Sequence, residues 1–263
     1  MLIKGVGEMK SNPFITPDGY TSDIAVFTIT SEIHGEFKPP IKKLKIMLIK
    51  RSERDHEGNP NIEAGKWALP GGFVRLGETA FQAAEQKLLE ETGVDGVRIK
   101  HFGVYDSSER DPRGWILSNA HYVIANEADL KSRKQTYDAT DIQLFTIDEA
   151  LALNLAFDHR QIIDDAIWFI KKDMALTTLA RHFLPSEFVL SELQGVLLTV
   201  LDDSSIMTDA AFFRKVPTLP FIEAVHENGK PKKSNRYSKI PAQLYRFTNF
   251  QPIVSVYSNK LKG

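Results

Sequence analysis

The sequence predicts an α/β (α+β) fold in two modules, on three observations. Short β-branched and apolar runs alternate with loops through the first half, around one sharply bounded helical stretch. A long apolar-periodic helix pattern begins just after Asp158. Two shorter helix patterns and a hairpin signal then close the chain, which is the element order of a winged helix-turn-helix. At 263 residues the chain is long enough for two such units.

Taken in order, residues 24–30 and 45–50 read as strands, joined through a turn-prone 35–40. Residues 52–66, punctuated by Gly58, Asn59 and Pro60, read as a loop. Residues 79–92 read as a helix with Phe81, Ala84, Leu88 and Leu89 on one side and Gly93 as its stop. Stretches 97–105, 115–125 and 142–147 complete the strands. Asp158 is placed to cap a helix over 159–184, ended by Pro185, with Ile162, Ile163, Ala166, Ile167, Ile170 and Met174 at helical spacing. The short helices are 191–201, opened by a Ser191…Gln194 capping-box spacing, and 208–216, capped by Thr208 and stopped by Pro217. Residues 221–225, an Asn228-Gly229 turn and a strand through 243–248 form the hairpin. The expected division is one module over 1–158 and a second over 159–263, with 159–184 as a long connecting helix.

Composition narrows the function. The absence of cysteine excludes disulfides, thiolate nucleophiles, Fe–S clusters and Cys-ligated zinc. No apolar run reaches membrane-span length and no signal-peptide pattern opens the chain, so a cytoplasmic protein without a membrane partner is expected. The formal charge of −1 hides an asymmetry: after residue 180 there are eleven Lys/Arg against seven acids. From Gly229 onward there are eight basic residues and no acid, interleaved with Tyr237, Tyr245 and Phe247. Such clustering suits a solvated tail or a surface that meets a polyanion.

Residues 69–73 (LPGGF), Glu78 and 88–94 (LLEETGV) resemble the Nudix box, G-x5-E-x7-R-E-U-x-E-E-x-G-U with U a bulky aliphatic residue. Gly72, Glu78, Leu88, Glu90, Glu91, Gly93 and Val94 match, while Gln86 and Lys87 stand where the family has Arg and Glu. The resemblance implies the Nudix α/β/α sandwich and ligands built on a nucleoside diphosphate. It also implies that Glu78, Glu90 and Glu91 are the catalytic positions, with Glu90 and Glu91 holding Mg²⁺ or Mn²⁺ if the site is active. In working members the Glu aligned with Lys87 is a metal ligand or base. Lys87 lies one helical turn ahead of Glu90 and Glu91, so its ammonium is expected to neutralise the site and leave a pocket that binds more than it hydrolyses. Gly71 and Gly72 allow close backbone approach. The segment 110–115 (RDPRGW) resembles Nudix proteins that handle ADP-ribose, so Arg110 and Arg113 are expected to chelate phosphate, with Arg51 and Arg75 as further cations. Trp67, Phe73 and Trp115 are candidates either to stack on adenine or to pack in the core.

Residues 188–194, 212–216, 241–247 and 156–159 resemble the NrtR family, Nudix-related transcriptional regulators of NAD metabolism. That resemblance implies a homodimer which senses ADP-ribose or a relative and binds a palindromic operator. Arg214 and Lys215 on the last helix, and Lys230, Lys232, Lys233, Arg236 and Lys239 around the hairpin, are the expected DNA contacts. The family's further Arg is Phe213 here, and its Gly-Arg pair is Lys239-Ile240. The alternative reading is a Nudix pyrophosphohydrolase acting on ADP-ribose or a related nucleoside diphosphate derivative.

Overall fold

A strand that buries both of its faces needs cover above and below, and the long first strand sets that requirement. In β1 (Gly19–Glu32), Ile24 and Val26 point to one side, and Ala25, Phe27 and Ile29 to the other. The computed structural model describes residues 16–54, 58–93, 97–128, 130, 139–201, 206 and 209–250. In it β1 is the centre of a seven-stranded mixed sheet. It pairs antiparallel with β2 (Ile41–Arg51) and, near its start, with β4 (Gly71–Phe73), and parallel with β6 (Ile116–Ile124). β3 (Trp67–Ala68) and β7 (Ala139–Thr146) pair with β2, and β5 (Ile99–Tyr105) pairs with β6.

Helices supply the cover. On one face α1 (Ala80–Thr92) starts at a Thr79–Gln82 capping box and ends at Gly93. Its Ala84 and Leu88 join Ile24, Val26 and Met47 in one apolar cluster. The predicted apolar side is corrected here. Phe81 and Leu89 remain 44% and 49% exposed, because the stripe turned inward runs through Ala80, Ala84, Leu88 and Glu91. After α2 (Ile147–Ala152), the opposite face is covered by α3 (His159–Leu176), whose Ile162, Ile163, Ala166 and Ile170 pack with Ala25, Phe27 and Tyr122. This helix stops well short of Pro185. The Thr177 hydroxyl donates to the Asp173 carbonyl at 2.6 Å, the backbone turns extended, and a 3-10 turn (Leu179–Phe183) continues the chain. Nor does Asp158 cap α3 with its side chain, since Arg110 takes that carboxylate. The result is the α/β/α sandwich.

The apolar cluster under α3 continues into Phe188, Leu193, Val196, Phe212 and Ile222 of the C-terminal part. There α4 (Leu190–Val200) begins one residue earlier than expected. The Glu192 carboxylate accepts from Val189 N–H at 2.8 Å, and Ser191 lies inside the helix. α5 (Asp209–Lys215) runs into a 3-10 turn (Val216–Thr218) that contains Pro217, and Phe212 and Val216 face inward. The strands are β8 (Ile222–Ala224), β9 (His226–Glu227), β10 (Lys230–Pro231), β11 (Lys233–Ser234), β12 (Ala242–Gln243) and β13 (Tyr245–Phe247). Asn228 and Gly229 both adopt positive φ, 51° and 73°, as the tight turn between β9 and β10 requires. Backbone bonds Val225–Leu244 and Leu244–Lys232 tie the hairpin to the returning strand, which completes a winged helix-turn-helix. Val94, Thr208, Lys260 and Lys262 lie outside the described residues. Among the described residues no helix is long and apolar enough to cross a membrane.

Candidate functional site

The glycines of β4 let its backbone lie against β1 and against Lys87 of α1. A Cβ on Gly71 would strike the Asp23 carboxylate and lie 2.5 Å from the Ser22 carbonyl oxygen. On Gly72 it would lie 2.8 Å from Lys87 Cε, so the lysine stem rests against bare backbone. That contact aims the ammonium: Lys87 Nζ stands 3.3 Å from Glu90 Oε2. Gln86 Nε2 donates to the other oxygen of Glu90 at 2.7 Å. Burial alone would raise the Glu90 carboxyl. The Gln86 hydrogen bond and the charges of Lys87 and Arg75 outweigh it and hold the group below the usual carboxylate range. Glu78 accepts the backbone N–H of Arg75, which stays exposed, and Glu91 is buried.

Beneath the loop lies a buried charge cluster. Arg110 is bidentate on Asp158, at 2.6 and 2.8 Å, and its Nη2 is 3.7 Å from Asp23. Asp23 also accepts from the Ser118 hydroxyl. His159 Nδ1 accepts the Leu69 N–H at 2.9 Å, so its proton sits on Nε2, facing Asp23 at 3.8 Å. Burial first of all, despite the Asp23 and Asp158 charges, pushes the His159 imidazole down. The expectation that Arg110 chelates a ligand phosphate is therefore corrected. Its guanidinium is 4% exposed and committed to two carboxylates.

Arg113, three residues on, has a different fate. It is bidentate on Asp111, yet its guanidinium lies over the rings of Phe73, at 5.0 Å, and Phe157, at 5.5 Å. Arg51 approaches the same Phe157 ring at 5.0 Å, while its Nε and Nη2 hold the Ile62 carbonyl and the Asn61 side chain. The fold thus gathers Arg51, Phe73 and Arg113 around Phe157. Sequence reasoning did not single out Phe157, although it lies in the family-like 156–159 stretch. Its backbone adopts φ +51°, a conformation that bulky side chains rarely take. The two other candidate rings serve the scaffold. Trp67 packs edge-on against Phe145 at 4.8 Å, and Trp115 Nε1 donates to the Asp106 carbonyl at 2.9 Å.

The C-terminal basic residues divide in the same way. Lys232 pairs with Glu187 at 2.8 Å, and Arg236 donates to the Glu187 carbonyl and lies 3.5 Å from buried Glu192. These two, expected to meet DNA, instead tie the wing to the start of α4. Arg214, Lys215, Lys230, Lys233 and Lys239 are exposed and form no ion pair among the described residues.

A NUDIX domain model matches residues 34–166. The chain belongs to the Nudix family. It is 30% identical to the ADPR responsive transcriptional repressor NtrR of Acinetobacter baylyi over 86% of this chain and 81% of that protein. The crystal structure of a mutT/nudix family protein from Listeria innocua is 48% identical, with a TM-score of 0.53 over 62% of this chain and 99% of that one. The crystal structure of Shewanella oneidensis NrtR complexed with a 27mer DNA is 25% identical, with a TM-score of 0.63 over 87% of this chain and 93% of that one.

Nudix hydrolases employ Mg²⁺ or Mn²⁺, and the residues here do not fit such an ion. The positions expected to ligate it, Glu90 and Glu91, are an exposed carboxylate bound on both oxygens by Gln86 and Lys87 and a buried side chain one residue on. An ammonium 3.3 Å from Glu90 opposes a divalent cation at that position. Among the described residues no group of three or more His, Asp or Glu is arranged to hold a metal.

Proposed function

We propose that this Nudix chain is a DNA-binding transcriptional regulator, acting as a homodimer on a palindromic operator and answering to ADP-ribose or a related nucleotide. The observation that carries the reading is Lys87, seated on Gly72 and paired with Glu90, which places a fixed cation where a hydrolase needs a metal ligand. The Arg51–Phe157–Arg113 corner supports it by placing two guanidiniums against one ring, where a nucleotide phosphate competes with Asp111 for Arg113 and a base meets a flat face. The exposed Arg214, Lys215, Lys230, Lys233 and Lys239 supply the phosphate contacts of a winged helix on DNA. Similarity to an ADPR responsive repressor over most of the chain supports the same reading. We divide the chain after α3, because that helix covers the sheet of the Nudix module, so the effector module extends beyond residue 158.

The test is fluorescence anisotropy with duplexes from the protein's own gene neighbourhood, with and without ADP-ribose, beside an assay of ADP-ribose hydrolysis in Mg²⁺. The reading expects salt-sensitive binding whose affinity shifts with ADP-ribose, and little turnover. Turnover near the enzyme median of ~10 per second, with no operator shift, overturns it in favour of a hydrolase.

A further inference from the structure

On the sheet face opposite α1, where β5 and β6 meet the end of α3 and the following 3-10 turn, a cavity of about 240 Å³ opens to the surface. It is small beside the roughly 300–1,000 Å³ of drug-sized pockets. Four of its ten lining residues are basic, Arg98, Lys100, Arg181 and His182, with Asp173 as the one acid. That acid is already engaged, since one of its oxygens takes both the Lys100 ammonium and the buried Tyr122 hydroxyl. Arg181 has no carboxylate partner among the described residues. One of its nitrogens donates to the Thr248 carbonyl at 2.8 Å, and its buried Nε finds no acceptor there. Arg98 likewise makes no ion pair among the described residues. Among the described residues the positive charge is thus in excess of the acid that answers it, at a site separate from the Nudix pocket.

We infer that this cavity binds a phosphoryl group, either inorganic phosphate or the phosphate of a small organic ester. Two guanidiniums and an imidazole converging on a small concave site match a tetrahedral dianion with several acceptor oxygens. The volume admits such a group with a sugar-sized appendage. Burial, then the charges of Arg181 and Arg98, already hold the His182 imidazole below its usual range, and an incoming anion relieves that field. Arg181 also lies over Phe247, 5.2 Å from the ring centroid, at the end of β13. An occupied cavity therefore touches the winged module directly, and this inference stands whether or not the proposed response to ADP-ribose does.

The experiment is an NMR titration of the full-length chain with inorganic phosphate and, in parallel, with glucose 6-phosphate, reading the His182 imidazole. Saturable shifts of that signal, with a rise in its apparent pKa, are expected. Tighter binding of the ester than of phosphate identifies an organic ligand, and the reverse order identifies the free ion. Arg98→Gln removes a charge that makes no ion pair among the described residues and should weaken binding roughly tenfold or more. Arg181→Gln should weaken it further, though that variant also loosens Thr248, so Arg98→Gln decides. A His182 signal indifferent to both probes, or an unchanged dissociation constant in Arg98→Gln, overturns the proposal.

Discussion

Helix α1 and the C-terminal wing both carry charge, and they dispose of it in opposite ways. On α1 the chain answers itself: Glu90 is bound by Gln86 and Lys87 within one turn. Around the wing Lys230, Lys233 and Lys239 form no ion pair among the described residues, and Arg214 and Lys215 on α5 stand equally open. Paired charge needs no external counter-ion, whereas unpaired like charge clustered on a surface lowers its energy by meeting one. The difference teaches that α1 satisfies its own charge, while the wing and α5 keep cations open to an external anion.

The largest effect tests the frame beneath that helix. Arg110→Ala leaves buried Asp23 and half-buried Asp158 without their shared guanidinium, and breaking one side of a buried pair typically costs about 3–5 kcal/mol. Chemical denaturation should show that loss, while Arg113→Ala, at an exposed rim, should cost far less. Equal effects would erase the distinction between the two arginines.

Next comes pH. Burial, reinforced by His101, holds His121 at about 4, against 6.5 for a free imidazole. Between those values the unfolded chain binds more protons than the folded one, so stability falls as the pH drops from about 6.5 to 4, by on the order of 3 kcal/mol. The buried His159, also pushed down, adds in the same direction. As the pH falls through the depressed folded values of Glu90 and Asp111, a further loss follows, because each carboxylate's stabilisation exists only while it is charged. Denaturation midpoints across this range check the sign, and His121→Asn should flatten the upper part of the curve.

How far the sequence showed these features depends on the range of the interaction. The stop of α1 at Gly93 and the Asn228-Gly229 turn were legible, because each rests on residues within a few positions of one another. The end of α3 was missed because a threonine at 177 bonds back to its own helix, a local competitor that apolar periodicity does not register. The role of Arg110 was invisible for a different reason. Its partners Asp158 and Asp23 lie 48 and 87 positions away in the sequence, and nothing in RDPRGW distinguishes the buried arginine from the exposed one. Phe157 stands in the sequence only as part of a family-like stretch. Its place between two guanidiniums depends on a left-handed backbone that its residue type does not announce.

A smaller effect probes α1 itself. Gln86→Arg with Lys87→Glu removes the internal counter-ion and restores the family's ligand, so Mn²⁺ should bind roughly tenfold tighter or more by isothermal titration. No gain in metal affinity would mean that Lys87 is not what keeps the ion out.

The smallest effect separates the two kinds of wing cation. If Lys230 and Lys233 meet DNA phosphates, each Lys→Ala change lowers the slope of log affinity against log salt by about 1 per protomer, or about 2 for a dimer on its operator. Lys232→Ala breaks a contact with Glu187 inside the module, so it should leave that slope unchanged and affect how firmly the wing is held to α4. Hydrogen exchange around Leu244, whose N–H is bound by the Lys232 carbonyl, reports the second effect independently of DNA. A slope that drops as much for Lys232→Ala as for Lys233→Ala would mean that Glu187 releases its partner on binding. The wing would then be a charge reserve that opens to DNA, and the contrast between paired and unpaired cations would describe only the free protein.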